Sequence, residues 1–302
     1  MFRFAKLSLV VAVLLTLPGV IGCGDGSQPV SGVLSFTAIP DSDKTELDLR
    51  FRPLAEHLSE VLGIPCEYVS TADYSASVEM FKNGDVQLAW FGGLTGVQAR
   101  DAVAGARAIA QGAADREFRS YIIAHELAAA EVEGELPVDI LKGRRFTFGS
   151  RQSTSGRLMP EHFLRTATGM APDEFFSEVS YSGSHDKTAE LVDSGAFEAG
   201  VINYRTYETL LADGRIHAET CRVLWKSPTY SDYNWTVHPD VDATFGAGTS
   251  HAIQEALIGL SDRVLLEALK RPEGLVEASA GDFEGIAAVA RRLGFLRDAS
   301  QQ

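Results

Sequence analysis

The sequence predicts an α/β fold in two lobes, each built from strand–helix–strand units. Short runs rich in β-branched and aromatic residues alternate with segments of helical periodicity along most of the chain. Such alternation is typical of sheets whose strands run parallel. The length of 302 residues exceeds one minimal domain, and a hydrophobic content of 45% is ordinary for a globular protein.

The first residues are predicted to be a targeting signal that does not belong to the fold. A basic start is followed by an apolar stretch over residues 7–17, which is too short to span a bilayer comfortably. A small residue then precedes Cys23, an arrangement that resembles a bacterial lipobox, in which the cysteine is lipidated. These features predict a signal peptide over residues 1–22, a lipid anchor on Cys23 and a flexible tether over 23–32. An ordinary secretory signal is the alternative.

Strands and helices alternate through the first half. Its longest helix carries Leu47 and Leu54 on one face, can be capped by Asp43 or Thr45, and ends at Gly63. Shorter helices follow the second and third strands. The predicted strands are 33–39, 64–69, 86–90 and 106–111. In a parallel sheet the ligand binds at the carboxyl ends of such strands.

The second half continues the alternation and then becomes helical. Its predicted strands are 120–125, 145–148, 179–182, 198–203 and 222–226. A polar stretch with a proline, 227–235, is interpreted as a linker. Helices are predicted in the remainder, around 253–260, 264–269 and 283–293.

The most informative stretch is a hydroxyl-rich turn that follows a strand of the second half. Residues 145–148 alternate and carry aromatics, so they predict the strand. Ser153–Gly156 then brings three hydroxyl side chains, and a helical pattern that ends at Gly169 comes next. Backbone N–H groups, hydroxyls and the positive end of the helix dipole converge at such a turn, which makes it a candidate anion site. A plain Ser/Thr helix cap is the alternative.

The charge balance and the absence of known motifs argue against several classes of function. A net charge of −14 argues against nucleic acid and anionic membrane surfaces as partners. The sequence contains no Gly-x-Ser-x-Gly elbow, no zinc-ligand spacing and no Walker loop, so we expect no enzyme activity, no metal and no cofactor. Cys66 and Cys221 are expected to be buried free thiols, although an oxidising compartment would allow a disulfide.

Four short motifs, in this order along the chain, resemble those of the phosphonate/phosphite-binding proteins of ABC importers. They are Ala72–Tyr74, Ala89–Gly92, Ser153–Gly156 and Gly183–Asp186. The resemblance covers essentially the whole chain after the signal. It implies the fold of a type II periplasmic binding protein, with two lobes joined by a hinge that the chain crosses near 111–121 and 228–233. The first lobe would comprise 33–119 and 231–302, and the second lobe 120–230.

Further stretches resemble one branch of that family, whose members are described as selenate-binding. These stretches are Pro40–Glu46, Trp90–Arg100, Ser184–Leu191 and Asp232–Thr236. Within the family, the resemblance implies selenate as a hypothesis for the ligand.

The resemblance also implies which residues contact the ligand. An aromatic side chain after the Asp of the first motif lines the cleft, and a Phe stands in the second motif where a Tyr is usual, so it supplies no hydroxyl. The third motif holds the oxyanion, the fourth supplies a cleft histidine, and an acidic cleft residue falls near the second crossing. The implied set is Tyr74, Phe91, Ser153, Thr154, Ser155, Gly156, His185 and Asp232. The alternatives are plain packing for the two aromatics and a helix-capping role for His185.

Together these features predict an extracytoplasmic lipoprotein that closes two lobes on a small tetrahedral oxyanion, with selenate as the leading hypothesis. It would deliver the anion to the permease and ATPase of an ABC importer, act as a monomer and touch the membrane only through its lipid anchor. One alternative is a phosphonate, phosphite or phosphate binder of the same importer class. Another is a periplasmic sensor subunit that signals to a histidine kinase.

The position of the Asp232 carboxylate is expected to decide between the anions. A carboxylate that faces the ligand accepts a proton from a protonated phosphorus oxyanion and repels a fully deprotonated one. A carboxylate bonded to Lys226 or to backbone donors leaves a cleft of donors, which suits selenate.

Overall fold

The computed structural model describes residues 32–125 and 134–296. The predicted signal peptide, Cys23 and all but the last residue of the predicted tether lie outside the described residues. Within the described part, no helix is long and apolar enough to cross a membrane.

Eleven strands in the described part form two sheets. In chain order they are β1 (Leu34–Ala38), β2 (Cys66–Val69), β3 (Leu88–Phe91), β4 (Arg107–Gly112), β5 (Ser120–Ala124), β6 (Arg145–Phe148), β7 (Glu178–Tyr181), β8 (Ala199–Asn203), β9 (Arg222–Lys226), β10 (Asn234–Val237) and β11 (Leu275–Glu277). The first sheet has the order β11-β4-β10-β3-β1-β2, and the second has the order β7-β6-β8-β5-β9. We call the part built on each sheet the first and the second lobe.

Helices cover both sheets. They are α1 (Lys44–Leu62), α2 (Tyr74–Lys82), α3 (Gly93–Ala102), α4 (Val138–Leu141), α5 (Met159–Thr168), α6 (Pro172–Phe175), α7 (His185–Asp193), α8 (Tyr204–Ala212), α9 (Val241–Phe245), α10 (Thr249–Ile258), α11 (Arg263–Ala268) and α12 (Glu284–Arg292). Helix α1 begins and ends as the sequence predicts: Asp43 accepts a hydrogen bond from the backbone N–H of Glu46, and Gly63 ends the helix in the left-handed conformation.

The first sheet departs from the prediction in its centre. Strand β10 lies antiparallel between β3 and β4, and β11 pairs antiparallel with β4. The interpretation of 227–235 as a linker is therefore wrong for its last residues, and the sheet is mixed, not purely parallel. The strand is hard to recognise because it is short and directly follows a polar stretch; burial of Trp235 and Val237 is what holds it in the sheet.

The second sheet is also mixed. Strands β6, β7 and β8 run parallel, whereas β5 pairs antiparallel with both β8 and β9. All the strands predicted for this half are present, and β6 delivers the hydroxyl-rich turn. Cys66 and Cys221 are both free thiols, as expected. Cys221 is buried, whereas Cys66 is only half-buried.

The chain crosses between the two sheets twice, and the crossings lie side by side. The first runs from β4 to β5 and the second from β9 to β10. Phe118 and Tyr230 exchange backbone hydrogen bonds of 2.9 and 3.1 Å, so the two crossings form a short antiparallel pair. Two adjacent crossings of this kind are typical of a hinge, about which two lobes can rotate as rigid bodies.

Candidate functional site

The turn after β6 presents hydrogen-bond donors that the protein does not use in its helix. Residues 154–158 form a single π-helical turn that leads into α5, and the side chain of Ser153 accepts the N–H of Gly156 at 2.9 Å. The N–H groups of Thr154 and Ser155 lie in the first turn, where no intrahelical acceptor exists. The positive end of the helix dipole lies at the same place. Ser153 therefore caps the helix, as the alternative from the sequence has it, and binding of an anion at the remaining N–H groups stays a prediction.

Gly156 allows this turn to pack closely against His185. A Cβ atom at position 156 would lie 2.9 Å from the hydroxyl oxygen of Ser153 and 3.1 Å from Cε1 of His185. Both distances are shorter than ordinary contacts, so a side chain would displace one group or the other. The glycine thus brings the turn and the histidine ring together.

His185 is the first residue of α7, and its ring is fixed with one free nitrogen. Its Nδ1 accepts the backbone N–H of Asn203 at 3.2 Å, so in the neutral ring the proton is on Nε2. Nε2 is buried and has no hydrogen-bond partner within the described residues. Burial lowers the pKa of His185 to about 4, although the carboxylates of Asp41 and Asp186 act in the opposite direction. The ring is therefore a neutral donor at physiological pH.

Tyr74 joins the two lobes at the same place. It is the first residue of α2, and its hydroxyl is hydrogen-bonded to the side chain of Ser153. Burial, reinforced by the carboxylates of Asp41 and Asp232, holds the pKa of Tyr74 well above its ordinary value. The phenol therefore stays protonated and able to donate.

Thr154 uses its hydroxyl inside the protein. The oxygen accepts the backbone N–H of Leu94 in α3 at 2.9 Å, which is a bond between the lobes. The hydroxyl is also hydrogen-bonded to the carboxylate of Asp232. Of the groups of Thr154, the backbone N–H remains for an anion, and the side chain holds the lobes together.

Asp232 is tied to the start of α3. Its Oδ1 accepts the backbone N–H groups of Gly93 at 2.7 Å and of Tyr233 at 2.9 Å. Burial raises the pKa of Asp232 to about 6, against the effect of these hydrogen bonds. The carboxylate is thus bonded to backbone donors, one of the two arrangements considered from the sequence.

A second carboxylate, Asp41, was not assigned to the site by sequence reasoning. It follows β1, and its Oδ2 accepts the hydroxyl of Tyr233 at 2.8 Å, while Arg50 lies 3.4 Å from Oδ1. Its backbone oxygen accepts the N–H of His185 at 3.3 Å, and Asn203 donates to the Tyr233 hydroxyl at 3.3 Å. The available signal was its place at the carboxyl end of a strand.

The structure brings most of the predicted residues together and leaves one apart. Each predicted side chain is at most 2% exposed. Hydrogen bonds and close contacts link Tyr74, Ser153, Thr154, Gly156, His185 and Asp232. Ser155 sits beside them, with its carbonyl accepting the hydroxyl of Ser120 at 2.7 Å. Phe91 packs edge-on against Phe81 at 5.6 Å, which is a core contact, so a role for Phe91 toward the ligand stays a prediction.

The arrangement has a simple chemical meaning. The donors of the turn and of His185 are available, whereas the neighbouring carboxylates already accept hydrogen bonds from the protein. Within the described residues, no group of three His, Cys, Asp or Glu side chains lies placed to hold a metal. Such a cleft can bind an anion through neutral donors.

Two mixed α/β lobes, a double-crossing hinge and a buried donor cluster between the lobes define a substrate-binding protein. Residues 36–283 match the family described as "ABC transporter, phosphonate, periplasmic substrate-binding protein". The chain belongs to this family, and its place is therefore outside the cytoplasm.

The similar proteins agree with that assignment. The "Probable ABC transporter phosphite binding protein PhnD1" of Prochlorococcus marinus (strain MIT 9301) is 35% identical over 272 residues, which cover 88% of this chain and 91% of the relative. The solved structure of PhnD1 with methylphosphonate has a TM-score of 0.83 and 34% identity, and the match covers 87% of this chain and 99% of that one.

A more distant relative is the "Phosphate-import protein PhnD" of Mycolicibacterium smegmatis, 27% identical over 207 residues, or 64% of this chain and 62% of the relative. The predicted family and the predicted type II periplasmic binding protein fold are confirmed by these matches.

Proposed function

We propose that this protein captures phosphite or a small phosphonate outside the cytoplasm and delivers it to the permease and ATPase of an ABC importer. The observation that carries the proposal is the buried, unpartnered Nε2 of His185, held against the donor turn at Gly156. A tetrahedral oxyanion satisfies such donors with several oxygens at once. The neutral histidine and the helix dipole stabilise its charge without a fixed cation.

The relatives favour phosphorus over selenium as the central atom of the ligand. The donors alone suit any small tetrahedral oxyanion, and the bonding of Asp232 to backbone N–H groups suits selenate by the criterion set out from the sequence. The family is described as phosphonate-binding and PhnD1 as a probable phosphite-binding protein. We give more weight to these relatives because the PhnD1 match covers nearly the whole chain. Selenate becomes the competing hypothesis.

The proposal is tested by calorimetry of the purified protein with phosphite, methylphosphonate, selenate and sulfate at pH 5.5 and pH 7.5. Tight binding of phosphite or methylphosphonate, with selenate and sulfate much weaker, is the expected result. A heat of binding for selenate, with none for phosphite or methylphosphonate, would overturn the proposal. The Thr168→Ala variant, altered at the last residue of α5, is a control for protein quality because it lies at the far end of that helix from the donor turn.

The site of attachment and the downstream partner complete the proposal. We propose that Cys23 carries the lipid anchor and that the protein acts as a monomer. Cys23→Ser should move the protein from the membrane to the soluble fraction, and unchanged membrane association would disprove the anchor. Permease and ATPase genes beside this one support import, whereas a neighbouring histidine kinase gene supports the sensor alternative.

A further inference from the structure

A chamber opens at the mouth of the cleft, next to the donor cluster. Its volume is about 540 Å³, and both lobes line it, the first through the ends of β1 and β2 and the second through the ends of β6 and β7. Tyr74 belongs both to this chamber and to the donor cluster, and Ser184 lines it directly before His185. The volume is within the range of small-molecule sites. A substituent on a bound anion would have room here.

Three cationic side chains line this chamber, and they come from both lobes. They are Lys44, Arg151 and Lys187. None of them forms an ion pair with an acidic side chain of the described residues. The guanidinium of Arg151 lies 3.7 Å from the centre of the Tyr181 ring, which restricts its orientation. Unpaired cations at this cleft stand out in a chain with 41 acidic and 27 basic residues.

The acidic residues of the chamber are already engaged by helices. Asp43 accepts the N–H of Glu46 at the start of α1, and Asp73 accepts the N–H of Ala76 at the start of α2. Each carboxylate is therefore stabilised by a helix N-terminus. Ser42 is also a lining residue, and its hydroxyl is buried without a hydrogen-bond partner in the described part of the chain.

We propose that the chamber is a second anion subsite, which takes a carboxylate on the substituent of a phosphonate. The phosphonate group would occupy the donor cluster, and the carboxylate would meet Arg151, Lys187 and Lys44 at the mouth. Guanidinium and ammonium groups bind carboxylates with charge-assisted hydrogen bonds. The inference rests on the proposed function and defines its substrate class as phosphonates with a second negative charge.

The test compares two ligands of equal length, 3-phosphonopropionate and propylphosphonate, by calorimetry at constant ionic strength. The wild-type protein should bind 3-phosphonopropionate about tenfold more tightly, as expected for one charge-assisted contact. In the double variant Arg151→Met, Lys187→Met, the affinity for 3-phosphonopropionate should fall to that for propylphosphonate, which should not change. Lys142→Met, which removes an exposed cation outside the chamber, should keep the wild-type ratio.

Several results would overturn the subsite. One is that the wild-type protein binds 3-phosphonopropionate and propylphosphonate with equal affinity. Another is that the double variant still prefers 3-phosphonopropionate. A third is an equal loss of affinity for both ligands in the double variant, because that indicates general attraction of anions and not a site. Methylphosphonate and phosphite are measured on the same samples. If they fail to bind, the proposed function fails; if they bind and the ratio is one, only the subsite fails.

Discussion

The two sides of the cleft differ in how their polar groups are used. We call the turn Ser153–Gly156 and His185 the donor side of the cleft, and Asp41 and Asp232 its carboxylate side. On the donor side, Nε2 of His185 is buried with no partner among the described residues. On the other side, Asp41 and Asp232 are equally buried, yet each already accepts hydrogen bonds from the protein. In the cleft, the carboxylates of Asp41 and Asp232 are used within the protein, whereas the Nε2 donor of His185 is not.

This difference indicates what the cleft selects. An unsatisfied buried donor is unfavourable by about 1–3 kcal/mol, so a ligand that accepts from it gains affinity, whereas a ligand that must donate finds its acceptors occupied. The selection is therefore for hydrogen-bond acceptors, and a negative charge strengthens each bond. Substitutions on the donor side should therefore lower ligand affinity more than substitutions on the carboxylate side.

The largest effect should come from His185, on the donor side. His185→Phe keeps a ring but removes the Nε2 donor, together with the Nδ1 acceptor of the Asn203 N–H. It should weaken phosphite or methylphosphonate binding by roughly ten- to a hundredfold, the value of a charge-assisted hydrogen bond. Because burial lowers the pKa of His185 to about 4, the ring is neutral from pH 5 to 8, and the loss should be the same across this range. Calorimetry at pH 5.5 and 7.5 measures both quantities.

A matched variant separates the donor from the packing of the ring. His185→Gln retains an amide N–H near the position of Nε2 and should recover part of the lost affinity. Melting temperatures of all three proteins check that the fold is intact. Wild-type affinity in His185→Phe would remove the histidine from the site.

The turn of the donor side could be predicted from the sequence because neighbouring residues in the chain specify it. A strand, four consecutive small residues and a helical pattern specify the turn at Ser153–Gly156, whereas His185 was implied by the resemblance of its motif to the family. The first helix, its Asp43 cap and its Gly63 end were also predictable from neighbours in the chain. Local patterns of this kind depend on backbone preferences that each short segment carries by itself.

The carboxylate side could not be read in this way because its bonds are long-range. Asp41 reaches Tyr233 across 192 positions, and Asp232 reaches Gly93 across 139. The antiparallel strand β10 makes both contacts possible, and it was hidden in a stretch interpreted as a linker. Strand β10 contains Trp, Thr and Val, which favour strands, but four residues are too few to show a pattern, and the strand is stabilised by burial in the assembled sheet.

A smaller effect should follow from Gly156→Ala, which disturbs the donor side without removing any donor. The new Cβ would press on the Ser153 hydroxyl and on the His185 ring, so affinity should fall about tenfold, equivalent to one hydrogen bond of ordinary strength. Gly149→Ala is the control, because a Cβ there meets its neighbours no closer than 3.5 Å. Calorimetry and melting curves of both variants measure the result. If Gly156→Ala binds the ligand as tightly as the wild-type protein, the turn tolerates the displacement.

The smallest effect is expected on the carboxylate side, from Asp232→Asn. The amide oxygen can still accept the N–H groups of Gly93 and Tyr233, but the side chain no longer titrates. Burial raises the pKa of Asp232 to about 6, so the wild-type group is largely neutral at pH 5 and charged at pH 7.5. A charged carboxylate repels the bound anion, and the wild-type protein should therefore lose affinity relative to the variant as pH rises, by about tenfold or less. Taking the ratio of the two proteins at each pH cancels the titration of the ligand itself. A ratio that moves the other way would mean that Asp232 accepts a proton from the ligand, and the carboxylate side would then recognise phosphite directly.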